Sequence, residues 1–151
     1  MLIHKEETDK YYSRKLFSVD EMGKKQGPFT GYYDNGQLAC SATYKNDKLN
    51  GRCQRYHRNG KLCSECLYRS GRITGPYNVY YDSGKLFVKC FYKAGLKDGL
   101  YEEYAQDGSL LEKKVYQDGE ELTGKKAIEY LKKWTAEQAK RKTPTRDTAE
   151  R

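Results

Sequence analysis

The sequence predicts an all-β protein: an elongated, single-layer antiparallel meander of 24-residue β-hairpin repeats, closed by a C-terminal amphipathic helix. Glycine carries the first sign. Gly27, Gly51, Gly75 and Gly99 stand 24 residues apart, and Gly36, Gly60, Gly84 and Gly108 keep the same step. Gly71, Gly95 and Gly119 form a third column that Gly23 extends backwards. Tyrosine follows the same ruler, with Tyr32, Tyr56, Tyr80 and Tyr104 in one column and Tyr44, Tyr68, Tyr92 and Tyr116 in another. A fixed period of this length marks supersecondary units stacked in a row.

The elements follow in chain order. Residues 1–15 read as an N-terminal segment and residues 16–26 as a degenerate half-repeat. Four full units then span residues 27–124. In the first, residues 27–34 lead into Asn35-Gly36 and residues 37–44 follow. Asn-Gly suits a two-residue hairpin turn, because both central positions need φ > 0. Asn59-Gly60, Ser83-Gly84 and Asp107-Gly108 stand at the same place in the later units, and Leu38, Leu62, Leu86 and Leu110 add a further column. The stretches 45–50, 69–74 and 93–98 read as links between hairpins. A lone hairpin is marginal in water, so the units must stack.

After Gly124 the pattern turns helical. Residues 125–142 place Ala127, Ile128, Leu131, Trp134, Thr135 and Gln138 at helical spacing, and Thr123 stands where a cap belongs. An Ile128–Leu131–Trp134 stripe is expected to cover the last hairpin, since an open sheet edge needs protection. Residues 143–151 read as a disordered tail.

Composition sharpens this reading. Leu, Ile, Val and Phe make up 24 of 151 residues, and the net charge is +8 with 33% charged residues. Such a balance is typical of disordered chains. The 15 tyrosines and 14 glycines, against 3 prolines, resist that conclusion. A tyrosine buries about 150–250 Å² while keeping a polar tip, so it can supply the apolar area that leucine does not. A layered α/β enzyme with a thick aliphatic core is excluded, and no apolar run approaches the roughly 20 residues of a membrane helix. Met1-Leu2-Ile3-His4-Lys5-Glu6-Glu7 shows no basic flank followed by an apolar stretch, so the cytoplasm is the expected compartment. Residues 125–151 hold nine Lys and Arg against four Asp and Glu, which concentrates the positive charge there.

The unit reads G-x-[FY]-x-x-Y-[YH]-x-[ND]-G-x-L, followed by Tyr and then Gly, carried by Gly27, Tyr32, Tyr33, Asn35, Gly36, Leu38, Tyr44 and Gly51 and their equivalents. This resembles the MORN repeat, in the variant found in short bacterial proteins of the YwqK-type antitoxin family. The resemblance covers residues 23–124. It implies a twisted antiparallel sheet that serves as a binding surface, and members of the wider family scaffold other proteins.

The candidates for chemistry are few. Cys63 and Cys66 form a C-x-x-C, but residues three apart on a strand point to opposite faces, so no metal site is expected. With the turn at Asn59-Gly60, Cys53 falls opposite Cys66, within reach of a cross-strand thiol pair. In a reducing cytosol that pair stays reduced. His57 occupies the slot of Tyr33 and Tyr81, an aromatic substitute in the sheet. No catalytic constellation is visible, and neither an enzyme nor a cofactor is expected.

The tyrosine columns carry the functional expectation instead. Strand alternation assigns Phe29, Tyr77, Tyr101, Tyr33, His57, Tyr81 and the Leu38 column to one face. Tyr32, Tyr56, Tyr80 and Tyr104 fall on the other, with Arg52, Gln54, Glu65, Asn78, Lys89 and Lys113. Tyrosine and arginine anchor protein interfaces, so the candidate binding residues are Phe29, Tyr32, Tyr33, Arg52, Arg55, Tyr56, His57, Tyr77, Tyr80, Tyr81, Tyr101 and Tyr104. The expected function is a non-catalytic protein-binding module, an antitoxin or immunity protein that occludes an acidic toxin domain. The alternative is an adaptor docking on acidic lipid or a cytoskeletal partner through its basic C-terminal end. Arg52, Arg55, Arg58, Lys61, Arg69 and Arg72 cluster in the second unit, yet no nucleic-acid module is recognisable, and nucleic acid is not an expected partner. The terminal strands could also pair two copies edge to edge.

Overall fold

The computed structural model describes residues 1–142, without the Lys142 side chain; the tail expected at 143–151 lies outside the described residues. Strands β1 (Ile3–Glu7) and β2 (Arg14–Val19) form an N-terminal hairpin ahead of the repeats. The first repeat is β3 (Gly27–Tyr32) and β4 (Leu38–Lys45), followed by the short β5 (Lys48–Leu49), which folds back on β4. The second is β6 (Gly51–Tyr56) and β7 (Leu62–Arg69), and the third β8 (Arg72–Tyr80) and β9 (Leu86–Lys93) with β10 (Leu96–Lys97). The fourth is β11 (Gly99–Tyr104) and β12 (Leu110–Gln117); β13 (Glu120–Leu122) and helix α1 (Gly124–Lys142) complete the order. The strands pair antiparallel in chain order from β1 at one edge to β13 at the other, with the short β5 and β10 off this path, folded back on β4 and β9. The result is one open sheet, the meander that the 24-residue period predicts.

The turns are distributed differently from expectation. Two-residue type I′ turns sit at the supposed links: Asn46-Asp47, Ser70-Gly71, Ala94-Gly95 and Asp118-Gly119 all have positive φ at both positions. At the Asn-Gly sites only the glycine does. His57 N–H bonds the Lys61 carbonyl and Gly60 N–H bonds the His57 carbonyl, with Gly60 at φ 89. This is a three-residue loop that ends in a glycine bulge.

That change has a second consequence. Each repeat shifts register once more, so that Ala39, Cys63, Phe87 and Leu111 are skipped in the pairing. Beyond the bulge the expected partners stand, and Cys53 faces Cys66. On the turn side, Tyr32 pairs with Leu38, Tyr56 with Leu62, Tyr80 with Leu86 and Tyr104 with Leu110. Directly opposed residues share a face, so the leucine column lies with the Tyr32 column. The expectation that it shares the Phe29 face is corrected, and the bulge is the reason.

Hydrogen bonds tie each repeat to the next at both long edges. The Tyr33 hydroxyl donates to the Tyr56 carbonyl, His57 Nε2–H to the Tyr80 carbonyl at 2.8 Å, and the Tyr81 hydroxyl to the Tyr104 carbonyl at 2.8 Å. The His57 contact assigns its Nε2–H tautomer. Asn35 and Asn59 amides donate to the carbonyls of Arg58 and Asp82. At the other edge, the amides of Asp47, Gly71, Gly95 and Gly119 donate to Lys25, Leu49, Ile73 and Lys97.

A single layer leaves a thin core. Cys90, at 3% exposure, is the most buried of the core hydrophobics, and none of the described side chains falls below 2%. Phe17, Val19, Phe29, Cys40, Ala42 and Cys53 cluster at the N-terminal end, with Tyr12, Tyr44, Leu49, Cys66 and Tyr68 packed around them. At the other end α1 lays Trp134 edge-on to Phe91, with ring centroids 4.7 Å apart. Its sheet-facing residues are Ala127, Tyr130, Leu131, Trp134 and Gln138. Ile128, expected in the covering stripe, is exposed, and Tyr130 takes its place. The reason is polar: the Tyr130 hydroxyl donates to the buried Asp98 carboxylate, which also accepts from the Asp118 amide.

Candidate binding faces

The register defines two faces. The front carries Phe29, Cys40, Cys53, Cys66, Tyr77, Cys90 and Tyr101, together with Tyr44, Tyr68, Tyr92 and Tyr116 opposite the glycines that open each repeat. Aromatic pairs cross it edge-on: Phe29 with Tyr44 at 5.8 Å, Tyr77 with Tyr92 at 5.6 Å and Tyr101 with Tyr116 at 6.0 Å between centroids. Lys97 stands over both Tyr101 and Tyr116, 5.1 Å from each ring. The back carries Tyr32, Tyr56, Tyr80 and Tyr104 beside polar partners. The Tyr56 hydroxyl donates to Gln54, Tyr80 to Glu65 and Tyr104 to Glu102.

The two chain ends cover opposite faces at opposite ends. Before the first repeat, Tyr12 lays its ring over Gly31 on the front, 5.9 Å from Phe29. A Cβ at Gly31 would stand 2.7 Å from that ring, so the glycine makes the seat. After the fourth repeat, α1 covers the back, where Phe91 and Val115 lie. The front of the third and fourth repeats therefore keeps a half-buried aromatic field, made of Tyr77, Tyr92, Tyr101, Tyr116 and the tilted pair Tyr81–Phe87, whose centroids lie 4.6 Å apart.

The sequence candidates divide accordingly. Tyr77 and Tyr101 lie in the open field and Tyr81 at its margin. Phe29 is buried among Tyr12, Phe17 and Tyr44 and serves the core. Tyr33 and His57 are spent on the edge ladder, and Tyr32, Arg52, Tyr56, Tyr80 and Tyr104 belong to the back. Arg55 faces Ser64 on the front, in a cleft with Tyr11, Tyr12, Tyr33, Ala39 and Cys63. Tyr92 and Tyr116, absent from the candidates, complete the open field; their 24-residue column was visible in the sequence. Tyr12 was missed too, although Gly31 is one of two glycines outside the three columns.

The front mixes thiols and half-buried hydroxyls with the charges of Arg55 and Lys97. Burial pushes the Tyr92 hydroxyl up to about 12 and the Cys90 thiol up to about 11. Burial likewise raises Tyr77 and Tyr101. Along the row Cys40, Cys53 and Cys66, a hydrogen bond with Cys53 together with burial raises Cys40, while the bond from Cys53 lowers Cys66. All five cysteines are free thiols. Among the described residues no cluster of His, Cys, Asp and Glu could hold a metal ion, and no helix is long and apolar enough to cross a membrane.

No curated protein matches the chain. The MORN repeat variant does, four times over, at residues 25–46, 49–70, 73–94 and 97–118. These matches fall in step with the four hairpins and take up more than half of the sequence. The chain is a repeat module for binding and belongs to the MORN repeat variant family.

Proposed function

We propose that this chain is a non-catalytic module that holds a protein partner against the front of its third and fourth repeats. One observation carries the reading: the N-terminal segment covers the front at one end and α1 covers the back at the other, which leaves the Tyr77–Tyr92 and Tyr101–Tyr116 pairs open. Tyrosines on a rigid sheet lose little entropy on binding and offer both apolar area and a hydroxyl. The finer reading is an antitoxin or immunity protein that occludes an acidic toxin domain. It is supported by the likeness of Gly27, Tyr32, Tyr33, Asn35, Gly36 and Leu38 to the repeats of short bacterial antitoxins, and by the net charge of +8.

The test is capture of a partner from extracts of the native host. The Tyr77→Ala/Tyr101→Ala variant should lose the partner, while Tyr56→Ala, on the back, should keep it. Equal capture by both variants sinks the reading. For the antitoxin role, co-expression with the captured protein should relieve its toxicity.

A further inference from the structure

The long edge that carries the type I′ turns is lined with cations over the first three repeats. Lys45 and Lys48 oppose each other across the first of these turns, and Arg69 and Arg72 across the second; Lys93 opens the third. Lys24 joins Lys45 and Lys48 around a hollow of about 370 Å³. All six side chains are exposed. Like charges directly opposed weaken a strand pair, so stability does not account for the two matched pairs.

Among the described residues none of the six forms a salt bridge. Near the first turn, Asp20 accepts from the Lys24 amide and Asp47 from the Lys25 amide; further along, Glu137 of α1 lines a hollow with Arg69 and Lys93 and forms a salt bridge with neither. The Lys48 stem lies against Gly71 and the Arg72 stem against Gly95, which holds each cation over the following repeat. The row changes to Leu96 opposite Lys93 and then to Gln117, Asp118 and Glu120 in the fourth repeat, and it ends there.

Spacing selects the occupant. Lys45, Lys48, Arg69, Arg72 and Lys93 come from five successive passes of the chain, about 4.8 Å apart. Side chains along one face of an α-helix, at i, i+3, i+7, i+10 and i+14, advance on average about 5.3 Å per step. Over four steps the mismatch is about 2 Å, within the reach of lysine and arginine. Same-face residues of an extended strand advance about 6.8 Å and would drift by about 8 Å. A membrane surface or a long nucleic acid would run on over Asp118, Glu120 and Glu121, which repel it.

We infer that this edge docks the acidic face of an α-helix presented by the protein partner. The inference rests on the protein-binding reading above and adds a second contact to it.

The test uses two fluorescein-labelled 18-residue helical peptides of identical composition. One carries five glutamates along one face at the spacing given above; the other distributes them around the helix. Anisotropy titration of the full chain should show the one-face peptide binding about tenfold tighter or more. The Lys48→Glu/Arg69→Glu variant should lose that binding. It leaves each turn with one charge of either sign, so folding is favoured and its thermal transition should hold. Equal binding of the two peptides, or binding of neither, overturns the inference. Tighter binding of (dT)20 or of phosphatidylserine vesicles, abolished by the same variant, also overturns it. If the charge variant leaves peptide binding intact while Tyr77→Ala/Tyr101→Ala still releases the native partner, the edge assignment alone fails.

Discussion

The indole of Trp134 occupies the space that a side chain on Gly99 would need, because a Cβ there would overlap the ring. Gly99 also holds φ at 96, a region that L side chains rarely adopt. Gly27 is its counterpart in the first repeat, with φ 80 and open space around it. Gly27→Ala should therefore cost about 1 kcal/mol for backbone strain alone. Gly99→Ala adds overpacking and should cost about 2–4 kcal/mol. Urea unfolding gives both values, and the fluorescence of Trp134, the protein's one tryptophan, should report α1 undocking only in the second. Equal costs would mean that the helix is not wedged on the glycine.

His57 repeats the bond that Tyr33 and Tyr81 make with the following repeat. His57→Tyr should leave stability within about 0.5 kcal/mol of the parent. His57→Ala should cost about 1–2 kcal/mol, since the half-buried Tyr80 carbonyl loses its donor. Thermal melts compare the two, and a tyrosine variant as weak as the alanine one would remove the ladder from the account.

Alkali should unfold the sheet in a defined window. Cys90 rises from 9.0 to about 11, and Tyr12 and Tyr92 rise from 10.0 to about 12, chiefly through burial. The folded state holds these protons more tightly than the unfolded chain does. Their contribution to stability is fully present below pH 9 and is lost as pH climbs through 11 to 12. Melting temperature should stay flat from pH 7 to about 8.5 and fall beyond it. Tyr92→Phe should flatten the upper part of that fall; an unchanged profile would contradict the role of its hydroxyl.

The thiols should differ in reactivity. Cys66 is half-buried and held low by its bond from Cys53, whereas Cys40 and Cys90 are buried and held high. Brief alkylation at pH 8 followed by peptide mapping should label Cys66 before Cys40 or Cys90. Mild oxidation with diamide should join Cys53 to Cys66, which face each other, with a loss of about 2 Da and no pairing of Cys66 with Cys90. A different first label, or a different pairing, would refute this order.

Much of this architecture was legible in the 24-residue step. The step counted the hairpins and placed their turns, and it put Cys53 opposite Cys66 because the longer loop and the skipped Cys63 offset each other beyond the bulge. It did not reveal the turn type. Asn-Gly serves a type I′ turn and a glycine bulge alike, and the one residue skipped in each repeat, Ala39, Cys63, Phe87 and Leu111 in turn, is of no common type that would mark the bulge. That one skipped residue moved the Leu38 column to the other face. The helix stripe failed differently. Ile128 and Tyr130 both fit the spacing, but only tyrosine can reach into the sheet and meet the Asp98 carboxylate. The cationic edge was present as Lys24, Lys48 and Arg72, and as Lys45, Arg69 and Lys93, each 24 apart. It went unnoticed because a net charge carries no direction.

The bonds of the two edge ladders reach one unit forward and stop. A chain wired in this way has no memory of its total length. A repeat could be spliced into its middle, or removed, and the Tyr12 seat and the Trp134 wedge would each still find the unit they recognise. What would change is the span between them, in steps of about 10 Å set by two strand spacings. The protein is in that sense a gauge, with two fixed ends and a number of divisions that evolution can choose.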